Sequence, residues 1–244
     1  MKKQPLPVIV SFSGGKDSTA MLLKMLEMGE HIDEVVFIDS GMEWPAVYEH
    51  IVKLEANLGL TITKLKPEKS WDYWFSKHLK RSGKTAGTRG YEWPTAHLRW
   101  CTRFLKEEPM RKYLFAKYGR RCCQCIGIAA DETKRFKHKR VIDRHPLVEY
   151  GMTEAQCLDY CLSKGYDFGG LYNHFARVSC FCCPLNRIGD ARNTWKYYPE
   201  QWKRIVELDD RCQFMKWKVY GARALEERFR KEEAAAQSTR KEFL

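Results

Sequence analysis

With 244 residues, 44% of them hydrophobic and 30% charged, the chain has the composition of a folded globular protein with a substantial core, which excludes a disordered one. No apolar run approaches the roughly 18 residues that span a bilayer, and Leu6 to Phe12 is too short for a secretion-signal core. The expected setting is therefore cytoplasmic, with no membrane partner. Ten cysteines in such a setting argue for metal binding or thiol chemistry sooner than disulfides. A net charge of +12 points to a polyanionic partner or substrate, with a solvated basic surface as the alternative.

In chain order, Val8 to Val10 reads as a β-branched strand and Thr19 to Met28 as a helix, joined by the loop S-G-G-K-D-S from Ser13 to Ser18. Gly14 and Gly15 permit close backbone approach, so successive amides can face an anion at a helix N-terminus, and Lys16 adds a full positive charge. Asp17 suits a hard cation accompanying phosphates, and Ser13 and Ser18 offer hydroxyls. This is not the Walker A pattern, because Asp17 follows the lysine.

Glu34 to Gly41 reads as a second buried strand ending in a polar turn, which implies a parallel pair with the first. Asp39, Ser40 and Gly41 then lie at its carboxyl end beside the glycine loop, where open α/β sheets bind ligands. Pro45 to Leu58 looks helical and Thr61 to Leu65 alternates like a third strand. The predicted fold is α/β, an open, mostly parallel twisted sheet with helices on both faces. From Trp71 to Trp100, aromatics are interspersed with Lys77, Lys80, Arg81, Lys84, Arg89 and Arg99, and Ser82 to Gly90 is a predicted loop. Cations and aromatics of this kind can meet phosphates and bases. Core packing of the aromatics under a solvated loop explains them as well and is preferred, because aromatics dominate cores.

W-C-T-R-F-L-K-E-E-P begins at Trp100, and Cys122 to Ala130 reads as a fourth strand followed by D-E-T-K-R. Asp131 and Glu132 at its end reach the same crevice as the glycine loop. Lys134 to Arg140 is a short cationic run, able to bind phosphate, sulfate or nucleic acid but ordinarily a solvated loop. His138 and His145 carry no ligand spacing. Cys122, Cys123 and Cys125 fit strand packing, and Cys157 and Cys161 share a face of a predicted helix from Thr153 to Lys164. In V-S-C-F-C-C-P, ending at Pro184, close thiols are placed to share a cation. From Asp190 onward the chain reads as helices, with Trp195, Tyr198, Trp202, Ile205 and Leu208 on one apolar face and a fraying end from Glu232.

S-G-G-K-D-S resembles the PP-loop of the ATP pyrophosphatases and adenine nucleotide α-hydrolases. The ordered set PP-loop, C-x4-K-x2-P, G-I-x-A-D-E, P-L-V-E, L-Y and C-x2-C, over roughly residues 8 to 184, resembles the phosphoadenylyl-sulfate and adenylyl-sulfate reductase family. The resemblance implies an adenine nucleotide contacted by Ser11, Ser13, Gly14, Gly15, Lys16, Asp17, Ser18, Asp39, Ser40, Gly41, Asp131 and Arg135. Its catalytic groups would be Lys16, Asp17 and Glu132, with Asp17 also serving magnesium. The family commonly has Arg where Ala129 stands, so that anion contact is missing or supplied by Arg135. In cluster-bearing relatives a tandem cysteine pair and a later C-x2-C hold a metal. Cys101, Cys180 and Cys183 match three of those ligands, Thr102 stands at the fourth position, and Cys182 can fill the gap. Four thiolates suit Zn2+ or a 4Fe-4S cluster.

The reductases end in a cysteine-bearing segment, whereas the last cysteine here is Cys212, within an apparent helix. The favoured expectation is thus an enzyme using ATP with Mg2+ to adenylate an acceptor and release pyrophosphate. A nucleic-acid acceptor and a sulfur donor such as a cysteine desulfurase complete it. The alternatives are a sulfonucleotide reductase using an external thiol and a zinc-stapled binding module without catalysis. Two regions are expected, 1–149 holding the nucleotide and 150–244 helical with the cysteines, packed as one unit.

Overall fold

The computed structural model describes residues 5–119, 121–132 and 143–242. Two compact units emerge, each assembled from two separate segments: Met1–Glu68 with Thr102–Val178, and Lys69–Cys101 with Ser179–Leu244. The boundary expected between 149 and 150 falls inside the first unit.

The first unit is built on a five-stranded sheet in the order β3-β2-β1-β4-β5, with every pairing parallel. Its strands are β1 (Val8–Phe12), β2 (Glu34–Ile38), β3 (Ile62–Leu65), β4 (Cys123–Ile126) and β5 (Asp143–Arg144). Register is fixed around Val10, which lies opposite Val35 on one side and Cys125 on the other. The chain first builds outward from β1 to β3, then returns to the other side of β1 to lay down β4. That reversal between β1 and β4 is the switch point at which parallel sheets open a ligand crevice.

Helices cover both faces. Ile9 and Val36 on one face pack with Met110 and Leu114 of α3 (Glu108–Tyr118) and with Cys122. At the margin of this layer the Glu34 carboxylate accepts hydrogen bonds from Thr63, Tyr113, Tyr118 and Lys117. Burial alone would raise its pKa, but those four donors hold it at about 2. On the opposite face lie α1 (Lys16–Glu27) and α2 (Pro45–Leu58), where Phe12 stacks on His50 and Phe37 meets Tyr48 edge-on. α2 has Pro45 in its first turn and ends on Gly59 at φ 61°, so its boundaries follow from local chemistry. The short α4 (Pro146–Glu149) and α5 (Glu154–Ser163) follow, α5 opening with a capping box between Thr153 and Gln156.

Two elements differ from the sequence-based expectation in ways that shape the site. α1 begins at Lys16, which puts Lys16, Asp17 and Ser18 in its first turn. β4 ends at Ile126, because Gly127 passes against α1: a Cβ there would stand 3.1 Å from the Ser18 backbone. The fourth strand is therefore shorter than Cys122 to Ala130, and after a turn at Ile128 the Ala130 N–H donates to Met152 O (2.8 Å).

In the second unit Trp71, Phe75, Trp93 and Trp100 are buried, so the aromatics here build a core. The helices α6 (Ile188–Tyr197), α7 (Pro199–Asp210) and α8 (Ala222–Glu242) complete it. Trp202, Ile205 and Leu208 are buried as the periodicity predicts, but Tyr198 is not part of a continuous face. It sits between two helices at φ −135°, because the ring of Pro199 disfavours helical backbone in the preceding residue. Among the described residues, no helix is long and apolar enough to cross a membrane.

Candidate nucleotide site and the cysteine loop

The loop between β1 and α1 is held in shape by its own polar groups. Ser13 N donates to Ser18 Oγ (3.2 Å), the two serine hydroxyls lie 3.0 Å apart, and Ser18 Oγ donates to Gly15 O (3.1 Å). Gly14 adopts φ +76° and lies so close to α2 that a Cβ would fall 2.6 Å from Val47 Cγ1. Only glycine satisfies both demands. The result is a tightly bonded loop at a helix N-terminus, where the dipole favours an anion.

Lys16, 4% exposed, directs its ammonium to Asp17 Oδ1 (2.9 Å) and Glu154 Oε2 (3.2 Å). Its backbone N–H donates to the hydroxyl of Tyr172 (2.7 Å). Burial chiefly pushes the Asp17 carboxyl above its ordinary range, with Lys16 opposing and Glu154 and Glu132 adding repulsion. Arg177 donates to Glu132 and lies 3.1 Å from Glu154 Oε1, so two cations and three carboxylates alternate from the loop to Glu132, beyond the end of β4. Asp131 accepts a hydrogen bond from Glu154 N (3.0 Å) and thereby positions the helix that carries Glu154. The electrostatics suit phosphate and divalent metal together: an anion at the loop competes with carboxylates for Lys16, and the carboxylates so released can take a cation.

The turn after β2 is ordered separately. Asp39 Oδ1 accepts from Gly41 N (2.9 Å) and Tyr48 OH (2.7 Å), and Ser40 Oγ donates to Glu43 Oε1 (2.9 Å). Lys106, the lysine of C-x4-K-x2-P, is 3.0 Å from Glu43 Oε1. Ser11 Oγ accepts from Gln124 Nε2 (2.6 Å), tying β1 to β4. Arg135, like the rest of the cationic run 134–140, lies outside the described residues.

Tyr172, Glu154 and Arg177 are the site residues that sequence reasoning did not assign. Tyr172 stood within the L-Y motif, while Glu154 and Arg177 had no motif of their own.

The predicted metal ligands Cys101, Cys180, Cys182 and Cys183 all belong to the second unit. The turn joins Cys183 N to Cys180 O (3.1 Å), and Trp217 Nε1 donates to the carbonyl of the buried Cys182 (2.9 Å). Lys218 donates to the carbonyls of Pro184 and Asn186, further fixing the loop. Among the described residues, however, no three Cys, His, Asp or Glu side chains stand where one ion could bind. The four thiols as arranged do not form a closed tetrahedral set and do not fit zinc or an iron–sulfur cluster. Cys212 is buried, which pushes its thiol up to about 12 and suppresses the thiolate.

Two uncharacterized proteins of Methanocaldococcus jannaschii are similar to this chain. One is 27% identical over 208 residues, covering 81% of this chain and 40% of the relative, and the other is 25% identical over 226 residues, covering 85% and 48%. The chain thus spans less than half the length of these curated relatives. The crystal structure of a phosphoadenylyl-sulfate reductase from Candida auris, in complex with phosphate, aligns with a TM-score of 0.44 at 16% identity. It covers 68% of this chain and 77% of that one. The phosphoadenosine phosphosulfate reductase domain profile matches residues 7–196, which takes in the glycine loop, the whole parallel sheet and the cysteine loop: the chain belongs to that family.

Proposed function

We propose that the first unit binds ATP at the 13–18 loop and transfers its adenylyl group to an acceptor oxygen, releasing pyrophosphate. What carries this reading is the position of Lys16: in the first turn of α1, at the β1/β4 switch point, on a loop shaped for phosphate and flanked by Asp17 and Glu154. The acceptor oxygen attacks the α-phosphorus, the bond to the β-phosphate oxygen breaks, and the electron pair leaves with pyrophosphate. Lys16 and the loop amides stabilise the charge that develops on that leaving group. Magnesium, held by Asp17 or Glu132, would neutralise phosphate oxygens. Asp131 and the 39–41 turn orient the nucleotide from either side of the loop. A sulfur nucleophile then displaces AMP from the adenylated acceptor, and nucleic acid is the acceptor class that the basic composition favours.

Reduction of a sulfonucleotide by an external thiol is the second reading, supported by the family itself. Anaerobically purified protein supplied with labelled ATP, magnesium and nucleic acid separates the two. The expected result is pyrophosphate and adenylylated nucleic acid, with AMP released once sulfide is added, all of which disappear in Lys16→Ala, with ATP affinity falling about 10- to 100-fold for loss of a charged hydrogen-bonding partner. Sulfite released from a sulfonucleotide, with no pyrophosphate from ATP, overturns the adenylation reading.

A further inference from the structure

Residues 77–91 of the second unit contain five cations, Lys77, Lys80, Arg81, Lys84 and Arg89, and no acidic residue. They form an ordered finger. Leu79 and Arg89 bridge antiparallel, Lys80 N donates to Thr88 O (3.0 Å), and Gly87 N donates to Lys80 O (2.8 Å). At the base, Gly90 N donates to His78 O and Tyr91 N to Trp74 O. A Cβ on Gly90 would lie 2.1 Å from Phe75 O, so the returning strand is pressed onto the turn that launches it. Lys77, Arg81, Lys84 and Arg89 are exposed.

The acids nearest in sequence are turned to other tasks. Asp72 is engaged by Arg204 (3.3 Å) and Arg211 (3.1 Å). Glu92 is 6% exposed and its carboxylate accepts the backbone N–H groups of Gln213, Phe214 and Met215. The positive field of the finger is therefore uncancelled by its own flanks. His78 registers it: burial first, then Arg81 and Lys80, lowers the imidazole pKa. Beside the cations lie two half-buried rings, His78 and Tyr91, backed by the buried Trp100. His78 stacks on Tyr91 (5.2 Å, 20°), Tyr91 on Trp100 (6.2 Å, 22°), and Lys80 lies over the Tyr91 ring.

We propose that this finger docks the sugar–phosphate backbone of single-stranded nucleic acid, the acceptor class of the proposed adenylation, on which the inference rests. Spaced cations on a hydrogen-bonded hairpin match a repeating phosphate chain, and the half-buried His78–Tyr91 pair beside them offers an aromatic contact to unpaired bases. A membrane surface is disfavoured because residues 82–88, S-G-K-T-A-G-T, have no large apolar side chain to insert.

The test is fluorescence anisotropy of the full chain with labelled 20-mer RNA and DNA single strands and a matched duplex, from 50 to 200 mM KCl. Five neutralised phosphates on a single strand give a salt slope of about 3.5, so affinity falls about a hundredfold over that range. Arg81→Gln/Lys84→Gln lowers the slope by about 1.4, whereas Arg81→Lys/Lys84→Arg leaves it unchanged. Lys16→Ala keeps strand binding while losing ATP, so failure of the nucleotide reading and failure of the finger are separable. An unchanged slope in the folded Gln variant, a preference for duplex, or equal competition by polyglutamate of matched charge each overturns the proposal.

Discussion

The hydroxyl of Tyr172 accepts the Lys16 amide hydrogen at the first residue of α1, the position where a phosphate oxygen would compete for it. Burial raises the Tyr172 pKa, so the group is a neutral phenol at physiological pH. A nucleotide that takes this amide must displace the phenol, which links the two contacts. Tyr172→Phe should cost about 1 kcal/mol of stability in the empty protein and tighten ATP binding by up to about tenfold, because the competing hydrogen bond is gone. Calorimetric titration checks it, and weaker binding would mean that Tyr172 touches the nucleotide itself. The glycine loop is legible in sequence because its chemistry is local, six consecutive residues with their geometry written into glycine, lysine and serine. Glu154 and Tyr172 are not, since they reach Lys16 from 138 and 156 residues away and no spacing encodes that meeting. Ser11, a nucleotide contact that the family resemblance implies, gains Gln124 as a partner through the pairing of β1 with β4, a contact no local spacing encodes.

At the scale of elements, the packing of α2 on β1 and α1 buries His50 against Phe12, with a tilted Phe168 ring at 4.5 Å and Thr19 Oγ1 at 2.9 Å from Nε2. Burial lowers its pKa to about 4, with Lys53 adding repulsion. A base whose pKa is depressed by folding contributes stability that is fully present above its unfolded value and is lost as pH falls from there toward the folded one. Between pH 7 and pH 5 the native protein should therefore lose about 2 kcal/mol more stability than His50→Gln, read from denaturant unfolding curves. Equal losses would show that His50 is charged in the folded state. The elements around this contact were readable because their boundaries are chemical: Pro45 and Gly59 delimit α2, and Thr153 with Gln156 opens α5. The end of β4 was not readable. It is set by the approach of Gly127 to Ser18, a tertiary contact that leaves the apolar run G-I-A-A looking like more strand.

Over the whole molecule, the first unit draws on segments either side of residues 69–101, and the second is closed by segments distant in sequence. A linear reading places boundaries where composition changes, so it divides the chain once and misses an interleaved arrangement. The second unit is joined by buried carboxylates. Asp209 Oδ1 accepts from Trp93 Nε1 (2.9 Å) and Trp217 N (2.6 Å), and Asp209 Oδ2 accepts from Ala222 N (2.8 Å). Glu92, at φ 56°, gathers the amides of 213–215, thereby linking its two segments. Hydrogen bonds to a desolvated carboxylate are each stronger than neutral ones, and truncating Glu92 removes the acceptor that three backbone N–H groups share. Glu92→Ala should consequently destabilise the second unit by about 3 kcal/mol or more and abolish hydrogen-exchange protection at Gln213, Phe214 and Met215. Asp72→Ala, which removes a half-exposed partner of Arg204 and Arg211, should cost less than about 1 kcal/mol and leave those amides protected. If the two variants behave alike, the exposed ion pairs and not the buried carboxylate join the segments, and the ranking of burial over surface charge fails for this unit.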